Sequence, residues 1–196
     1  MPSPDEIYER YLARAIREMN TLGDEISSCA RVSHPALAPV LGSGHPLADV
    51  MLLKYGPQHS ELQEGVAFFG RAGQAILKSL QRLRVDPMAV YGTNCLKFVD
   101  EDPEDAKQWL VRELHIVQPK IVVVMGEDAL EFLNALEFPL SAPVEAKPGE
   151  LQELTPTIQA LYVPDIDASL DEQAAKTRFW NGFKTLGAWW AELPPY

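Results

Sequence analysis

Four short, mainly apolar runs punctuate the chain: Ala48–Leu53, Ala89–Asn94, Lys120–Met125 and Ile158–Val163. A short continuous apolar run bounded by turn residues is typical of a strand that is buried on both faces. Strands of this kind occur mainly in parallel sheets whose two faces are covered by helices. The runs therefore predict a buried, mainly parallel sheet.

Between the predicted strands the apolar residues return at helical spacing, which predicts amphipathic helices. The predicted helices are Asp5–Leu22, Gly73–Arg84, Pro103–Val117, Glu127–Leu136 and a C-terminal helix from Leu170 onward. Gly23 is placed to end the first helix, and the stretch Leu140–Pro156 is predicted to be a loop. Alternating strands and helices indicate one α/β domain over residues 1–196. It is a three-layer αβα sandwich with a central four-stranded, mainly parallel sheet, and residues 1–24 add an N-terminal helix.

Composition narrows the class of protein. The 196 residues are 46% apolar, which is enough for a sizeable core, and include only two cysteines, Cys29 and Cys95. We therefore expect no disulfide framework and no metal site. No apolar run is long enough to span a membrane and the N-terminus has no signal-peptide pattern. We expect a cytoplasmic monomer that does not bind membranes.

The chain is strongly acidic, with a formal net charge of −11 and a pI near 4.8. Because nucleic-acid binding draws on Lys and Arg at phosphates, this charge disfavours tight nonspecific binding to DNA. A local basic patch remains compatible with it, since the field in a cleft can differ in sign from the net charge.

A ligand site is expected at the carboxyl ends of the strands, where open α/β sheets bind their ligands. The residues that reach this edge lie in Lys54–His59, Phe68–Arg71, Asn94–Lys97, at Gly126 and in Pro164–Ser169. The most distinctive of these stretches reads GVAFFGRAGQ and is followed along the chain by VYGTNCLK, QPKIVVVMG and LYVPD. In this order the motifs resemble the uracil-DNA glycosylase superfamily, in particular its thermostable, iron–sulfur branch.

The resemblance implies base-excision repair chemistry on DNA, with uracil or a related base held in a pocket. Phe68 matches the residue that stacks on the base and Asn94 the residue that reads its edge. Tyr55 and Gly56 match the base-binding loop, whereas Gly70, Arg71 and Lys97 are candidates for contact with phosphate or DNA. From the residues alone, a Phe pair before a helix is ordinarily part of the core, and a strand-end Asn is often a cap or turn residue.

Two positions depart from the branch. Tyr55 stands where it carries a Glu that activates water, and Val163 stands where it carries a His that stabilises the departing base. His59 and Asp165, with its neighbour Asp167, are the candidate catalytic substitutes. The alternatives without a catalytic role are that His59 is a surface residue and that the aspartates belong to a turn or cap a helix.

The iron–sulfur ligands also depart from the branch. The four positions that would carry the thiolates fall near Ile26, Cys29, Phe98 and Ala106, and one cysteine cannot hold a cluster that needs four. We expect no cofactor.

Two functions follow: a DNA N-glycosylase with a degenerate catalytic site, or an inactive relative that binds a base, a nucleotide or a protein partner.

Overall fold

The fold is taken from a computed structural model, which describes residues 3–33 and 38–194. In that part of the chain six strands form one sheet in the order β1-β3-β2-β4-β6-β5. The strands are β1 Ser43–Gly44, β2 Val50–Lys54, β3 Val90–Asn94, β4 Ile121–Met125, β5 Leu151–Thr155 and β6 Ile158–Val163. The four central strands are parallel, and the two edge strands are antiparallel to their neighbours.

Helices cover both faces of the sheet. They are α1 Pro4–Ser33, α2 His59–Glu64, α3 Arg71–Leu83, α4 Pro103–Val117, α5 Glu127–Asn134, α6 Ile166–Ser169, α7 Gln173–Phe183 and α8 Thr185–Glu192, with a 3₁₀ turn at Pro87–Ala89. One apolar cluster joins the sheet to α1, α4 and α5, and a second joins it to α3, α6, α7 and α8. The predicted three-layer α/β class is therefore confirmed.

The central strands follow the apolar runs because every residue of β2, β3 and β4 is buried. Prediction missed both edge strands. β5 lies within the stretch predicted to be a loop, and only its last two residues are buried. Since an edge strand is covered on fewer sides, its sequence carries a weaker apolar signal.

Two helix boundaries also differ from prediction. The first helix continues through Gly23 to Ser33, because Leu22 and Ile26 on either side are buried in the core. A Cβ at position 23 would lie 3.2 Å from Leu41 Cδ1, so Gly23 faces a neighbouring segment and does not terminate the helix. The helix predicted from Leu170 onward is divided into two helices, α7 and α8, and the short helix α6 precedes it. In the described residues, no helix has the length and apolar character needed to cross a membrane.

Candidate active site

The carboxyl ends of β2 and β3 place two polar side chains side by side. Lys54 is in register with Asn94, and the apolar residues that precede them on the same face, Leu52 and Val90, pack with α3. Both polar side chains are buried. Because burial of a polar group is costly unless it is paired, the partners of each one matter.

The amide of Asn94 is fully buried, and neither its Nδ2 nor its Oδ1 has a hydrogen-bond partner in the described part of the chain. An orphaned buried polar group costs about 1–3 kcal/mol. The amide carries a donor and an acceptor next to each other. The amide therefore contributes no hydrogen bond to the described part of the fold, and its donor and its acceptor are both unpaired.

Phe68 lies in a backbone conformation that bulky residues rarely adopt, with φ at 62°. Its N–H donates to Glu61 Oε1, and its ring packs on β3, where a Cβ at Gly92 would lie 2.7 Å from Phe68 Cδ2. The neighbouring Phe69 is about half exposed. Strained conformations held by their surroundings cluster at binding sites, so the geometry singles out Phe68 from the pair.

The first turn of α3 approaches the Phe68 carbonyl more closely than any side chain permits. A Cβ at Gly73 would lie 1.8 Å from that oxygen. The glycine therefore brings the helix N-terminus against the Phe68 loop, which explains the spacing of the FFGRAG motif in physical terms.

Lys54 belongs to a buried ion triad. Its Nζ lies 2.6 Å from Glu61 Oε2 and 2.9 Å from Asp167 Oδ2, and it also donates to the Gly56 carbonyl at 3.3 Å. The same Nζ lies 5.7 Å from the centroid of the Phe68 ring. The Lys54 and Glu61 side chains are almost fully buried, whereas the Asp167 side chain is 19% exposed. Solvent therefore reaches the triad through Asp167.

Sequence reasoning missed this triad. It included Lys54 only as the first residue of the stretch Lys54–His59 and did not single out Glu61, although a lysine that ends a buried strand needs a charged partner. Asp167 is 113 residues away along the chain, so no local pattern links it to Lys54. Asp165, the neighbour predicted as catalytic, caps α6 by accepting from Ala168 N at 3.0 Å.

A cleft of about 340 Å³ adjoins the triad and is lined by Glu61 and Asp167. It brings together three residues predicted for catalysis or DNA contact, namely His59, Gly70 and Arg71. Arg71 pairs with the cleft residue Asp171 at 2.6 Å, but both side chains are exposed. An exposed pair of this kind is weak, so the guanidinium remains open to a competing anion.

Phe68 also lines a second cavity, of about 450 Å³, between α3 and the β1 edge of the sheet. Its lining is mainly apolar and includes Leu52, Ile76 and Leu80 but no charged residue. Such a cavity offers van der Waals contact without acid–base chemistry. The charged and amide groups of the site lie instead around Lys54 and Asn94.

Tyr55 and Val163, the two positions that depart from the motifs, carry no side chain that could act as a catalytic group. Tyr55 packs with the cluster on the opposite face of the sheet from Phe68, with its ring edge toward Phe132. Burial and the nearby Asp128 carboxylate raise the pKa of its hydroxyl. Val163 is fully buried in the core. Neither side chain offers a base at neutral pH.

The predicted contact between Lys97 and DNA is wrong. Its ammonium is buried on the α4 side of the sheet, 2.7 Å from Glu113 Oε2 and 2.6 Å from Thr93 Oγ1. It also donates to the Asn94 carbonyl at 2.7 Å. A lysine enclosed in this way stabilises the end of β3 and cannot reach a phosphate.

The residues at the cluster positions do not fit an iron–sulfur group. Ile26, Phe98 and Ala106 are buried apolar side chains, while Cys29 is exposed. Cys95 is buried in the core, where burial raises the pKa of its thiol. Among the described residues no group of three or more His, Cys, Asp or Glu side chains could hold a metal ion.

Known proteins place this geometry in context. A family model described as the Uracil DNA glycosylase superfamily matches residues 41–184, which include the whole site. The Type-4 uracil-DNA glycosylase of Archaeoglobus fulgidus is 27% identical over 185 residues, covering 86% of this chain and 93% of the relative. The Type-4 uracil-DNA glycosylase of Sulfurisphaera tokodaii is 29% identical over 103 residues, covering 48% of this chain and 47% of the relative.

Proposed function

The chain belongs to the uracil-DNA glycosylase superfamily, and on that premise we propose that it hydrolyses the N-glycosidic bond of uracil or another deaminated base in DNA. An enzyme of this class turns its target nucleotide out of the helix into a pocket with an aromatic face and partners for the base edge. Phe68 provides the aromatic face and Asn94 the partner. The two relatives are Type-4 uracil-DNA glycosylases, which supports this assignment.

The observation that carries the proposal is the orphaned amide of Asn94. Uracil presents an N–H donor next to a carbonyl acceptor, and an asparagine amide can form a hydrogen bond with each of them at the same time. A stacked uracil would therefore remove the desolvation cost that Asn94 carries in the free protein. A residue that served only the fold would have no reason to keep this cost.

DNA would reach the pocket through the cleft that His59, Gly70 and Arg71 line. These residues supply at most two positive side chains, and the chain as a whole carries a net charge of −11. Since the affinity for DNA depends on the phosphates that are neutralised, binding should be weak and depend little on salt. Assays therefore require enzyme in large excess over DNA.

The test is base release under single-turnover conditions, from single-stranded and mismatched DNA that contains uracil, hypoxanthine or xanthine. Asn94→Ala should abolish release of the preferred base because it removes both hydrogen-bonding atoms. The matched control is Asn181→Ala, which changes an exposed asparagine on α7 and should leave release unchanged. Equal activity of Asn94→Ala and the native protein would contradict the proposed pocket.

A second candidate is a relative that binds a base without excising it. Val163 and Tyr55 favour this candidate, because both stand where the superfamily branch carries catalytic groups and neither can replace them. The native protein would then release no base from any of the substrates, yet free uracil would still shift the NMR signals of the Phe68 loop. Loss of that shift in Asn94→Ala, but not in Asn181→Ala, would identify a binding protein.

A further inference from the structure

We propose that Lys54 and Asp167 perform the two catalytic tasks for which this chain has lost the motif residues. The inference rests on the proposed glycosylase function and assigns the residues that carry it out. Cleavage of the N-glycosidic bond builds negative charge on the departing base and positive charge on the sugar. A cation at the base and a carboxylate near the sugar both stabilise this charge separation.

The ammonium of Lys54 lies beside the space that a base stacked on Phe68 would occupy. It is on the face of the Phe68 ring, 5.7 Å from the centroid, and Lys54 is in register with Asn94. A base stacked about 3.5 Å above Phe68 would have its edge within reach of both side chains. An ammonium in a buried site attracts a developing anion more strongly than it would in water.

The carboxylate of Asp167 lies between the base pocket and the cleft. Its Oδ2 is 2.9 Å from Lys54 Nζ, and the residue also lines the cleft of about 340 Å³. With its side chain 19% exposed, it can contact a water molecule that enters from the DNA side. This position suits a general base for the water that attacks the sugar.

Glu61 has a different task, although it also contacts Lys54. One of its oxygens accepts from Phe68 N and the other accepts from Gln58 N at 2.6 Å as well as from Lys54. Both oxygens are therefore committed to the loop that shapes the pocket. Glu61 is a positioning residue that holds Phe68 and Lys54, which leaves Asp167 as the carboxylate available to water.

The reaction balances with these two groups. The C1′–N bond breaks and its electron pair goes to the base, whose anion the Lys54 ammonium stabilises through a carbonyl oxygen. The water oxygen forms the new C1′–O bond, and Asp167 takes the proton that this water loses. The base anion then takes a proton from solvent and leaves.

Asp167→Asn tests the base directly. Single-turnover release should fall by about 10²–10⁴-fold, and the rise of the rate with pH that reports ionisation of a general base should disappear. Asp105→Asn is the matched control, because Asp105 is an exposed residue of α4 and does not line the cleft. A rate for Asp167→Asn within a few-fold of the Asp105→Asn rate would overturn the assignment.

Lys54→Gln tests the cation while keeping a donor for Glu61. Removing one donor to a developing anion typically costs about 10²–10³-fold in rate. The deficit should be smaller on 5-fluorouracil than on uracil, since the more acidic base needs less stabilisation as it leaves. For Asp167→Asn, the loss of rate should be the same on 5-fluorouracil as on uracil.

Two outcomes separate the failures. If the native protein releases none of the four bases (uracil, 5-fluorouracil, hypoxanthine and xanthine), both the glycosylase function and this assignment are overturned. A native protein that is active but slower than Lys54→Gln would overturn this assignment alone, because Lys54 would then obstruct the pocket. Lys54→Arg, which keeps the charge, should retain more activity than Lys54→Gln if the ammonium acts as proposed.

Discussion

Two buried lysines at the ends of neighbouring strands have opposite surroundings. Lys54 ends β2 and its side chain lies on the α3 face of the sheet, whereas Lys97 follows β3 and its ammonium lies on the α4 face. Each pairs with a buried glutamate, Glu61 for Lys54 and Glu113 for Lys97. By residue type and burial alone they are equivalent.

Their remaining partners separate them. Lys97 also donates to Thr93 and to the Asn94 carbonyl, both of which are fully buried. Lys54 reaches Asp167, which lines the cleft. The Lys97 network also borders a cavity, of about 490 Å³, which Glu113 and Tyr91 line, so a neighbouring cavity does not by itself separate the two networks. What separates them is exposure and position: the Lys97 and Glu113 side chains are almost fully buried, whereas Asp167 is 19% exposed and Lys54 lies over the Phe68 ring.

The largest expected effect is on stability and comes from Lys97→Met. The substitution leaves Glu113 buried without its cation, which should lower the free energy of unfolding by about 3–5 kcal/mol. Urea denaturation measures the change. Lys107→Met is the control, because Lys107 pairs with an exposed Glu104 side chain and should cost less than about 1 kcal/mol. Equal losses in the two variants would contradict the structural role given to Lys97.

Adjacent residues of β3 should respond with opposite signs. Asn94→Leu removes an orphaned amide on the Lys54 face and should raise the free energy of unfolding by about 1–3 kcal/mol. Thr93→Val, on the Lys97 face, removes a hydroxyl that contacts Glu113 at 2.9 Å and should lower it. Thermal and urea denaturation of both variants test this. Destabilisation by Asn94→Leu would mean that the amide serves the fold.

The same comparison explains what sequence could and could not predict. The buried strands were predicted correctly because apolar runs carry their signal, and a local motif singled out Phe68 and Asn94 as candidates for the site. Lys97 was misplaced because a lysine that follows a strand is predicted to be exposed. Only the structure shows that Glu113 on α4 faces it. Local patterns describe which residues lie on one element, but they do not say which elements meet.

Asp165 and Asp167 illustrate the same limit at the level of two residues. Both follow the last parallel strand, and sequence reasoning placed either within reach of the pocket. The structure gives Asp165 the N-cap of α6, while Asp167 contacts Lys54. The difference depends on where α6 begins, which a four-residue helix does not reveal in its sequence.

The Lys97 region should also show a pH dependence. Burial raises the pKa of Glu101, which accepts hydrogen bonds from Lys97 N and Trp109 Nε1. Between the ordinary glutamate pKa and this raised value, the folded state holds a proton that the unfolded state releases. The free energy of unfolding should therefore fall as the pH rises through that window.

Glu101→Gln should remove this part of the pH dependence, because the side chain no longer ionises. Urea denaturation at a series of pH values from about 4 to 8 measures the difference between the variant and the native protein. Glu64→Gln, which changes an exposed residue, reports the effect of the charge change alone. A pH dependence identical in Glu101→Gln and the native protein would contradict the role of burial.

The smallest stability effect is expected on the cleft side, from Arg71→Gln. Its pair with Asp171 is exposed, so the free energy of unfolding should change by less than about 0.5 kcal/mol. DNA binding should nevertheless weaken, and its salt slope should decrease by about 0.7–0.9 if Arg71 contacts one phosphate. Arg82→Gln is the control, since Arg82 lies over the Trp180 ring and does not line the cleft. The Arg71 change is expected to leave the fold intact and to alter only DNA binding. It therefore tests whether the Lys54 face of the sheet, unlike the Lys97 face, contacts DNA. An unchanged salt slope would remove Arg71 from the DNA path.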